Sequence, residues 1–218
     1  MIEMSEMRSA LATDVSSVRF FFDPVCPWTW ITSRWLVEVA EQRSIAVSWE
    51  IFSLRYRNRD NPGYDWVRDE MNAQYPGLRV LQATRHRFGN DAVARLYTTM
   101  GTLIHHDRDD NLTRLDEAVA AARLPPELMD ETTREEWDDS IVASTDEGWA
   151  MLGDDAGIPL IVIPDNPTVL FGPVLSPAPT GADALDLWDA FVTLGRFGGV
   201  YEIKRTRNVR PILGPRPA

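Results

Sequence analysis

The single cysteine of this chain lies in a setting suited to thiol chemistry. Cys26 is part of the segment FFFDPVCPWTWITSRWL, residues 20–36, and Pro27, Trp28 and Thr29 follow it. This is the spacing of a C-x-x-C redox motif, with a threonine where the second cysteine would be. Proline is favoured at the first position of a helix. If Cys26 is the N-cap, the free amides behind it point toward the sulfur, and the helix dipole favours its anionic form. The pattern predicts a thiolate nucleophile.

A buried, unreactive thiol is the alternative interpretation of Cys26. Free cysteine is among the most buried residue types. Few cysteines meet the electropositive, partly exposed conditions that reactivity needs. A strand precedes Cys26, and a helix start with proline follows it. Taken alone, this setting favours a reactive thiolate and an unreactive thiol equally.

The residues around Cys26 predict a βαβ unit. Residues 17–23, SVRFFFD, are almost continuously apolar, which is typical of a strand buried on both faces. Ile31, Trp35 and Val39 recur at a spacing of four and predict an amphipathic helix. Residues 45–54 place apolar side chains at alternate positions, as a second strand would. The helix between the two strands makes them most simply parallel.

The rest of the chain predicts helices, then a hairpin, then a helix. Turn residues break the helical stretch, for example at Pro76-Gly77. The candidate helices are 64–75, 78–88, 90–105, 113–123 and 133–152. Two apolar runs in residues 158–173 flank Pro164-Asp165-Asn166-Pro167 and predict an antiparallel hairpin. Residues 181–195 form a further amphipathic helix.

This order of elements predicts an α/β domain that is split by an all-helical insertion. The first part of the domain comprises residues 17–58 and the remainder residues 141–203, with the insertion at 59–140. Residues 204–218 hold five basic residues and no acidic ones, and form a basic tail predicted to be extended or mobile.

The composition favours a small molecule or a protein as the partner. The 218 residues include 33 Asp and Glu against 22 Lys and Arg, a net charge of -11 that opposes binding to nucleic acid or to an anionic membrane. The sequence shows neither a secretory signal pattern nor an apolar run of about 20 residues, so we expect no membrane association and a cytoplasmic location. One cysteine fits a reducing compartment. Monomer and homodimer both remain open.

The segment FDPVCPWTWITSRW resembles the active-site segment of the DsbA-like thioredoxin superfamily. It is most similar to the mycothiol-dependent nitroreductase branch, whose motif is F-D-P-x-C-P-W-C-W-I-T-S-R-W. Further blocks follow in the family's order: MGTLIHH (100–106), LPPEL (124–128), GIPLIVI (157–163), FGPVLSPAPTGADALDLWDA (171–190) and EIKRTR (202–207). The resemblance implies a DsbA-like thioredoxin fold with a helical insertion, which matches the predicted order.

The resemblance also implies roles for individual residues. Cys26 matches the nucleophilic cysteine, and Pro159 matches the cis-proline that faces it in this fold. Ile158 would offer main-chain hydrogen bonds to a bound thiol or peptide. An ordinary proline at a strand start is the alternative for Pro159. His105 matches the histidine of the M-G-x-x-I-H block and would be an acid, a base or a substrate contact.

Aromatic residues beside Cys26 complete the expected site. Pro27, Trp28 and Trp30 flank the thiol, and an indole can stack on an aromatic substrate. Trp30 suits the core equally well. The pair His105-His106 gives little support for a metal site, because adjacent residues on a helix point in different directions.

Thr29 departs from the family motif. In a dithiol enzyme the second cysteine resolves the mixed disulfide that the first one forms. Here release requires a soluble thiol, such as mycothiol, or an intermediate that is not a disulfide. The Thr29 hydroxyl lies three residues from Cys26 and could stabilise the thiolate by a hydrogen bond.

Three functions follow from these residues and this resemblance. The first is a monothiol oxidoreductase in which Cys26 attacks a disulfide or an electrophilic small molecule, such as a nitroaromatic. A low-molecular-weight thiol, mycothiol or similar, is then the cosubstrate, and no tightly bound cofactor is expected, since no Gly-rich dinucleotide motif follows a strand. The second is a transferase or isomerase similar to the kappa-class glutathione transferases. The third is a non-catalytic binding protein with a thioredoxin fold.

Overall fold

The computed structural model describes residues 15–154, 157–164 and 169–217, apart from the side chain of Trp66. The strands are β1 (Ser17–Phe22), β2 (Ala46–Ile51), β3 (Leu160–Val162) and β4 (Leu170–Phe171). The α-helices are α1 (Pro27–Arg43), α2 (Leu54–Arg57), α3 (Arg68–Phe88), α4 (Asn90–His105), α5 (Leu115–Ala121), α6 (Asp138–Leu152) and α7 (Ala182–Gly195). Segments of 3₁₀ helix lie at Pro62–Val67, Pro126–Thr133 and Glu135–Trp137.

The four strands form one sheet in the order β2-β1-β3-β4. β1 and β2 are parallel, in register from Ser17 opposite Ala46 to Phe22 opposite Ile51. β3 is antiparallel to both β1 and β4. The parallel βαβ unit and the antiparallel strand pair are therefore confirmed, whereas residues 165–167 of the predicted turn and residue 168, the first of the second apolar run, lie outside the described residues. Parallel strands end at the same edge of a sheet, so the loops after β1 and β2 lie side by side.

The central strand β1 separates two hydrophobic clusters. Phe20, Phe21 and Phe22 are fully buried, as predicted for a strand covered on both faces. Successive side chains of a strand point to opposite faces of the sheet. Phe20 and Phe22 belong to the main core, which contains side chains from most of the helices. Phe21 belongs to a smaller group, the thiol cluster, which consists of Phe21, Cys26, Phe52, Ile158 and Leu160.

Helix α1 connects the sheet to the last helix. Ile31, Trp35 and Val39 have no exposed surface, which confirms the predicted buried face of the helix. The Trp35 indole N–H donates a hydrogen bond of 3.0 Å to the Ala184 carbonyl in α7. Ser44 ends α1 in the left-handed conformation, with φ of 55°. The buried face fixes the orientation of α1, and with it the position of the residues at its start.

The predicted break at Pro76-Gly77 is wrong, because α3 continues through both residues. A proline inside a helix leaves the carbonyl four residues earlier, here that of Asn72, without its usual N–H partner and costs about 3 kcal/mol. A Cβ atom at Gly77 would lie 2.7 Å from the Met100 Cε atom and 2.8 Å from the Leu112 Cδ2 atom, so α3 approaches its neighbours closely at that point.

The helical segment between β2 and β3 contains no strand in its described residues, 52–154 and 157–159. Its last helix is shorter than predicted and begins at Asp138, after the 3₁₀ segments. Within the described residues, no helix combines the length and the apolar character that crossing a membrane requires.

The basic tail, described as far as residue 217, is extended and attached to the body of the protein. The Ser176 hydroxyl donates to the Arg210 carbonyl at 3.1 Å and accepts from the Ile212 N–H at 2.9 Å. The Arg216 guanidinium donates to both carboxylate oxygens of Asp107, each at 3.0 Å.

Candidate active site

Cys26 is the N-cap of α1, as the sequence predicts. Its backbone is extended, with φ of -80° and ψ of 110°, and Pro27 occupies the first turn. The Thr29 N–H points at the Cys26 sulfur from 3.5 Å. The side chain is 8% exposed and packs in the thiol cluster. The sulfur therefore receives the donors that a helix start provides, but in a nearly closed environment.

Burial raises the pKa of the Cys26 thiol above its ordinary value. The Thr29 hydroxyl and the amides of Thr29 and Trp28 favour the thiolate, but their combined effect on the pKa is smaller than that of desolvation. The negative charge of Asp23 raises the pKa further. The lowered pKa expected from the helix start is not found, because a 3.5 Å contact to sulfur compensates only part of the desolvation.

Asp23 is part of the site, although no role was predicted for it from the sequence. It directly follows β1 and is 4% exposed. Its carboxylate accepts hydrogen bonds from the Val25 N–H at 3.1 Å and from the Leu54 N–H at 2.7 Å. Burial raises the pKa of Asp23 to about 6 in spite of these two bonds. An acidic residue at the end of an apolar strand, immediately before the cysteine motif, was the signal in the sequence.

The loop before β3 brings Ile158 to the thiol, and Pro159 follows it. The Ile158–Pro159 peptide bond is cis, the geometry that the resemblance implied. Ile158 is buried in the thiol cluster with Cys26. The Pro159 carbonyl accepts a hydrogen bond of 2.9 Å from the Gly172 N–H, which ties this loop to β4. Residues 132 positions apart in the sequence thus form one site.

His105 lies behind the loop that leads to Cys26. Its Nε2 atom is 2.8 Å from the Pro24 carbonyl oxygen. A carbonyl accepts only, so Nε2 carries the proton. Burial lowers the pKa of His105 to about 4, and the ring is neutral at pH 7. Its one N–H is committed to the backbone, which makes His105 a residue that holds the loop in position.

His106 points elsewhere, as expected for adjacent helical residues. Its Nε2 atom accepts a hydrogen bond of 3.2 Å from the Trp30 indole N–H. Among the described residues, no group of three or more His, Cys, Asp or Glu side chains is arranged to hold a metal ion.

The two tryptophans beside Cys26 have different environments. Trp30 has no exposed surface, and its ring lies 5.7 Å from that of Tyr97 and 5.6 Å from that of His105. It therefore belongs to the core and not to a substrate surface. Trp28 is partly buried and packs against the thiol cluster. Pro27 is also partly buried. Trp28 and Pro27 remain available to a ligand that approaches Cys26.

Residues 25–205 match the model of a protein family, that of the "Mycothiol-dependent nitroreductase Rv2466c". The chain belongs to this family. It is also 29% identical over 202 residues to the uncharacterized protein Rv2286c of Mycobacterium tuberculosis. The aligned residues cover 89% of this chain and 84% of that protein.

A solved structure shows that the family's fold here is DsbA-like. The chain is similar to the probable DsbA oxidoreductase SCO1869 from Streptomyces coelicolor, with a TM-score of 0.57 and 16% identity. The likeness covers 88% of this chain and 94% of that one. The predicted α/β fold, thioredoxin-like with a helical insertion, is thereby confirmed.

This member of the Rv2466c family has Thr29 at the position where the two-cysteine motif has its second cysteine. The Thr29 side chain is fully buried beside Cys26. Its Oγ1 atom makes no hydrogen bond of normal geometry to any described residue. A buried hydroxyl without a partner costs about 1–3 kcal/mol. The site thus contains one hydroxyl whose hydrogen is available to the sulfur or to a bound molecule.

Proposed function

We propose that this chain is a monothiol oxidoreductase, with Cys26 as the nucleophile and a soluble thiol as the second reductant. The main observation is the convergence of three elements on one sulfur. The start of α1 provides the Thr29 amide, the cis Ile158–Pro159 loop packs against the thiol, and the unpartnered Thr29 hydroxyl lies beside it. Membership in a mycothiol-dependent family supports mycothiol or a similar small thiol as the cosubstrate.

With a disulfide substrate, the reaction consists of two exchanges. The Cys26 thiolate attacks one sulfur of the substrate, the S–S bond breaks, and the other half leaves as a thiolate. A soluble thiol then attacks the mixed disulfide and restores Cys26. Each step replaces one S–S bond by another, so no further oxidant or reductant is needed.

A nitroaromatic substrate would require two electrons. Cys26 and one soluble thiol supply them when they join as a mixed disulfide, while the nitro group becomes a nitroso group and one oxygen leaves as water. A second soluble thiol then releases Cys26. The family's name supports a nitro compound as the substrate class. Small thiols are abundant in the cytoplasm, which is where we expect this reaction to occur.

Substrate binding must favour the thiolate, since burial keeps Cys26 mostly protonated in the structure described here. The Thr29 hydroxyl can rotate its hydrogen toward the sulfur once a charge develops there. Trp28 and Pro27 would contact the substrate at the exposed side of the thiol.

Intact-mass spectrometry after incubation with oxidised mycothiol or glutathione tests the covalent reaction. We expect one thiol adduct on the wild-type protein and none on a Cys26→Ser variant. Reduced thiol should then remove the adduct at a rate proportional to thiol concentration. A wild-type protein that forms no adduct would overturn the covalent mechanism.

The raised pKa of Cys26 favours one second candidate. In a transferase or isomerase of the kappa type, Cys26 and Thr29 would act as hydrogen-bond donors that activate a bound thiol without bonding to it. A Cys26→Ser variant that retains turnover would support this function. A protein with neither adduct nor turnover would instead be a binding protein.

A further inference from the structure

The basic tail passes over the outer side of the candidate site. The Arg207 guanidinium carbon lies 5.0 Å from the centre of the Trp28 ring. Trp28 is two residues from Cys26 and packs against the thiol cluster. Arg207 is therefore a cation at the exposed rim of the thiol site, although it lies 181 positions from Cys26 in the sequence.

Several contacts on the C-terminal side fix the position of Arg207. Ser176 bonds to both the Arg210 carbonyl and the Ile212 N–H. Leu213 packs against the main core. The Arg216 guanidinium forms two hydrogen bonds with Asp107, just beyond the end of α4. Arg207 thus lies on a segment that is tied down at three successive points.

The Arg207 charge is available to a ligand. Among the described residues, its one recorded partner is the Trp28 ring. A cation above an aromatic face is held by the ring's quadrupole, and most of the five N–H donors of the guanidinium remain for another partner. A guanidinium matches the geometry of a carboxylate, to which it can donate two parallel hydrogen bonds.

The tail also reverses the local charge of the protein. The chain carries a net charge of -11, which repels anions, whereas the tail has five basic residues and no acidic one. A basic segment beside the thiol of an acidic protein favours the approach of an anionic reactant.

We propose that Arg207, held on Trp28, binds a carboxylate on the disulfide or aromatic electrophile that Cys26 attacks. This inference rests on the proposed function, because it assigns a substrate class to the same site. Trp28 contributes an apolar surface for the aromatic or aliphatic part of the substrate, and Arg207 binds its charged group.

Two aromatic disulfides that differ in charge test this proposal. 5,5′-Dithiobis(2-nitrobenzoate) carries two carboxylates, whereas 2,2′-dithiodipyridine is uncharged. The rate of Cys26 modification by each reagent would be measured at low salt in the wild-type protein and in Arg207→Gln. Arg205→Gln is the matched control, because Arg205 is an exposed cation on the same tail.

We expect Arg207→Gln to slow the dianionic reagent by about 1.5-fold to fivefold, the range for one exposed charge pair, and to leave the neutral reagent unchanged. Arg205→Gln removes the same charge from the tail but no contact to Trp28, so it should slow the dianionic reagent less than Arg207→Gln does and should leave the neutral reagent unchanged. High salt should remove the difference between wild type and Arg207→Gln. The assignment of Arg207 is overturned if both reagents slow equally, if neither slows, or if the difference persists at high salt. A wild-type Cys26 that reacts with neither reagent contradicts the proposed function itself.

Discussion

The Thr29 backbone N–H points at the Cys26 sulfur from 3.5 Å, while the hydroxyl of the same residue makes no hydrogen bond of normal geometry to a described residue and would stabilise the sulfur only as a thiolate. The backbone thus provides the contact that any residue at position 29 would make. The Thr29 side chain adds a hydroxyl donor. In the two-cysteine motif, a second thiol stands at this position instead.

Replacement of Thr29 should barely affect stability, unlike replacement of Thr32 one turn away. Both side chains are fully buried, but the Thr32 hydroxyl donates to the Pro173 carbonyl at 2.8 Å. Thr32→Val should lower the free energy of unfolding by about 1–2 kcal/mol, because the partly buried Pro173 carbonyl loses its donor. Thr29→Val removes an unpartnered hydroxyl and should be neutral or stabilising. Urea unfolding of both variants measures the difference. Equal losses would show that the Thr29 hydroxyl has a partner.

Thr29→Cys should convert the site from external to internal resolution. The new thiol would lie one helical turn from Cys26 and could attack its mixed disulfide directly. After treatment with oxidised glutathione, the variant should show an intramolecular disulfide and no lasting adduct, whereas wild type retains the adduct. Intact mass distinguishes these products. A stable glutathione adduct on the variant would contradict the proposed exchange.

Asp23→Asn should make Cys26 easier to ionise, because the negative charge of Asp23 raises the pKa of the thiol. We expect the midpoint of the iodoacetamide reaction rate against pH to move to lower pH. Asp107→Asn is the control, since Asp107 pairs with Arg216 in the tail. An unchanged midpoint in Asp23→Asn would show that the Asp23 carboxyl is neutral or screened from the thiol.

Asp23 and His105 should have opposite effects on stability in acid. Burial raises the pKa of Asp23 from 3.8 to about 6, so its contribution is present at pH 4 and is lost as the pH rises through 6. Burial lowers the pKa of His105 from 6.5 to about 4, so its contribution is present above pH 6.5 and is lost as the pH falls to 4. Each shift corresponds to about 3 kcal/mol. The two therefore nearly cancel in the wild-type protein.

Single substitutions should expose this balance. Between pH 6.5 and 4, the free energy of unfolding of Asp23→Asn should fall about 3 kcal/mol more than that of wild type. That of His105→Gln, which keeps an N–H donor, should instead rise over the same range. Chemical denaturation at a series of pH values gives both slopes. Parallel pH profiles for the two variants would refute this assignment of opposite signs.

Gly101→Ala should destabilise the core around Trp30. A Cβ atom at Gly101 would overlap the ring of Trp30, which has no exposed surface. Overpacking of this kind costs about 1–3 kcal/mol. The control is Gly199→Ala, where nothing lies within 4 Å. Urea unfolding should separate the two variants, and equal stabilities would show that α4 can shift away from α1.

The sequence predicted the elements whose signals are local. The start of α1 follows from a proline after an N-cap residue, and its buried face follows from the spacing of Ile31, Trp35 and Val39. The parallel pairing of β1 and β2 follows from the helix between the two apolar runs, and the antiparallel pairing of β3 and β4 follows from the turn residues between theirs. The cis geometry at Pro159 is different, since it was implied by the family motif and not by composition.

The sequence was a poor guide where contacts between distant residues determine the structure or the pKa. Pro76 does not end α3, which lies close to Met100 and Leu112 at the next residue, and no pattern near Pro76 reveals these contacts. The buried position of Trp30 depends on Gly101 in α4. Burial of Cys26 raises its pKa, although the local motif favours the thiolate. A helix start sets the direction of an electrostatic effect, but the depth of burial determines its outcome.

The separation of the two clusters by β1 has a consequence for how such a protein can evolve. The side chains around the thiol, Phe52, Ile158 and Leu160, lie on the face of β1 opposite Phe20 and Phe22. Substitutions among them alter what the sulfur meets, while the main core that drives folding stays intact. A lineage can therefore acquire a new substrate without first acquiring a new fold, and an exchange of cysteine for threonine beside the thiol is a change of that kind.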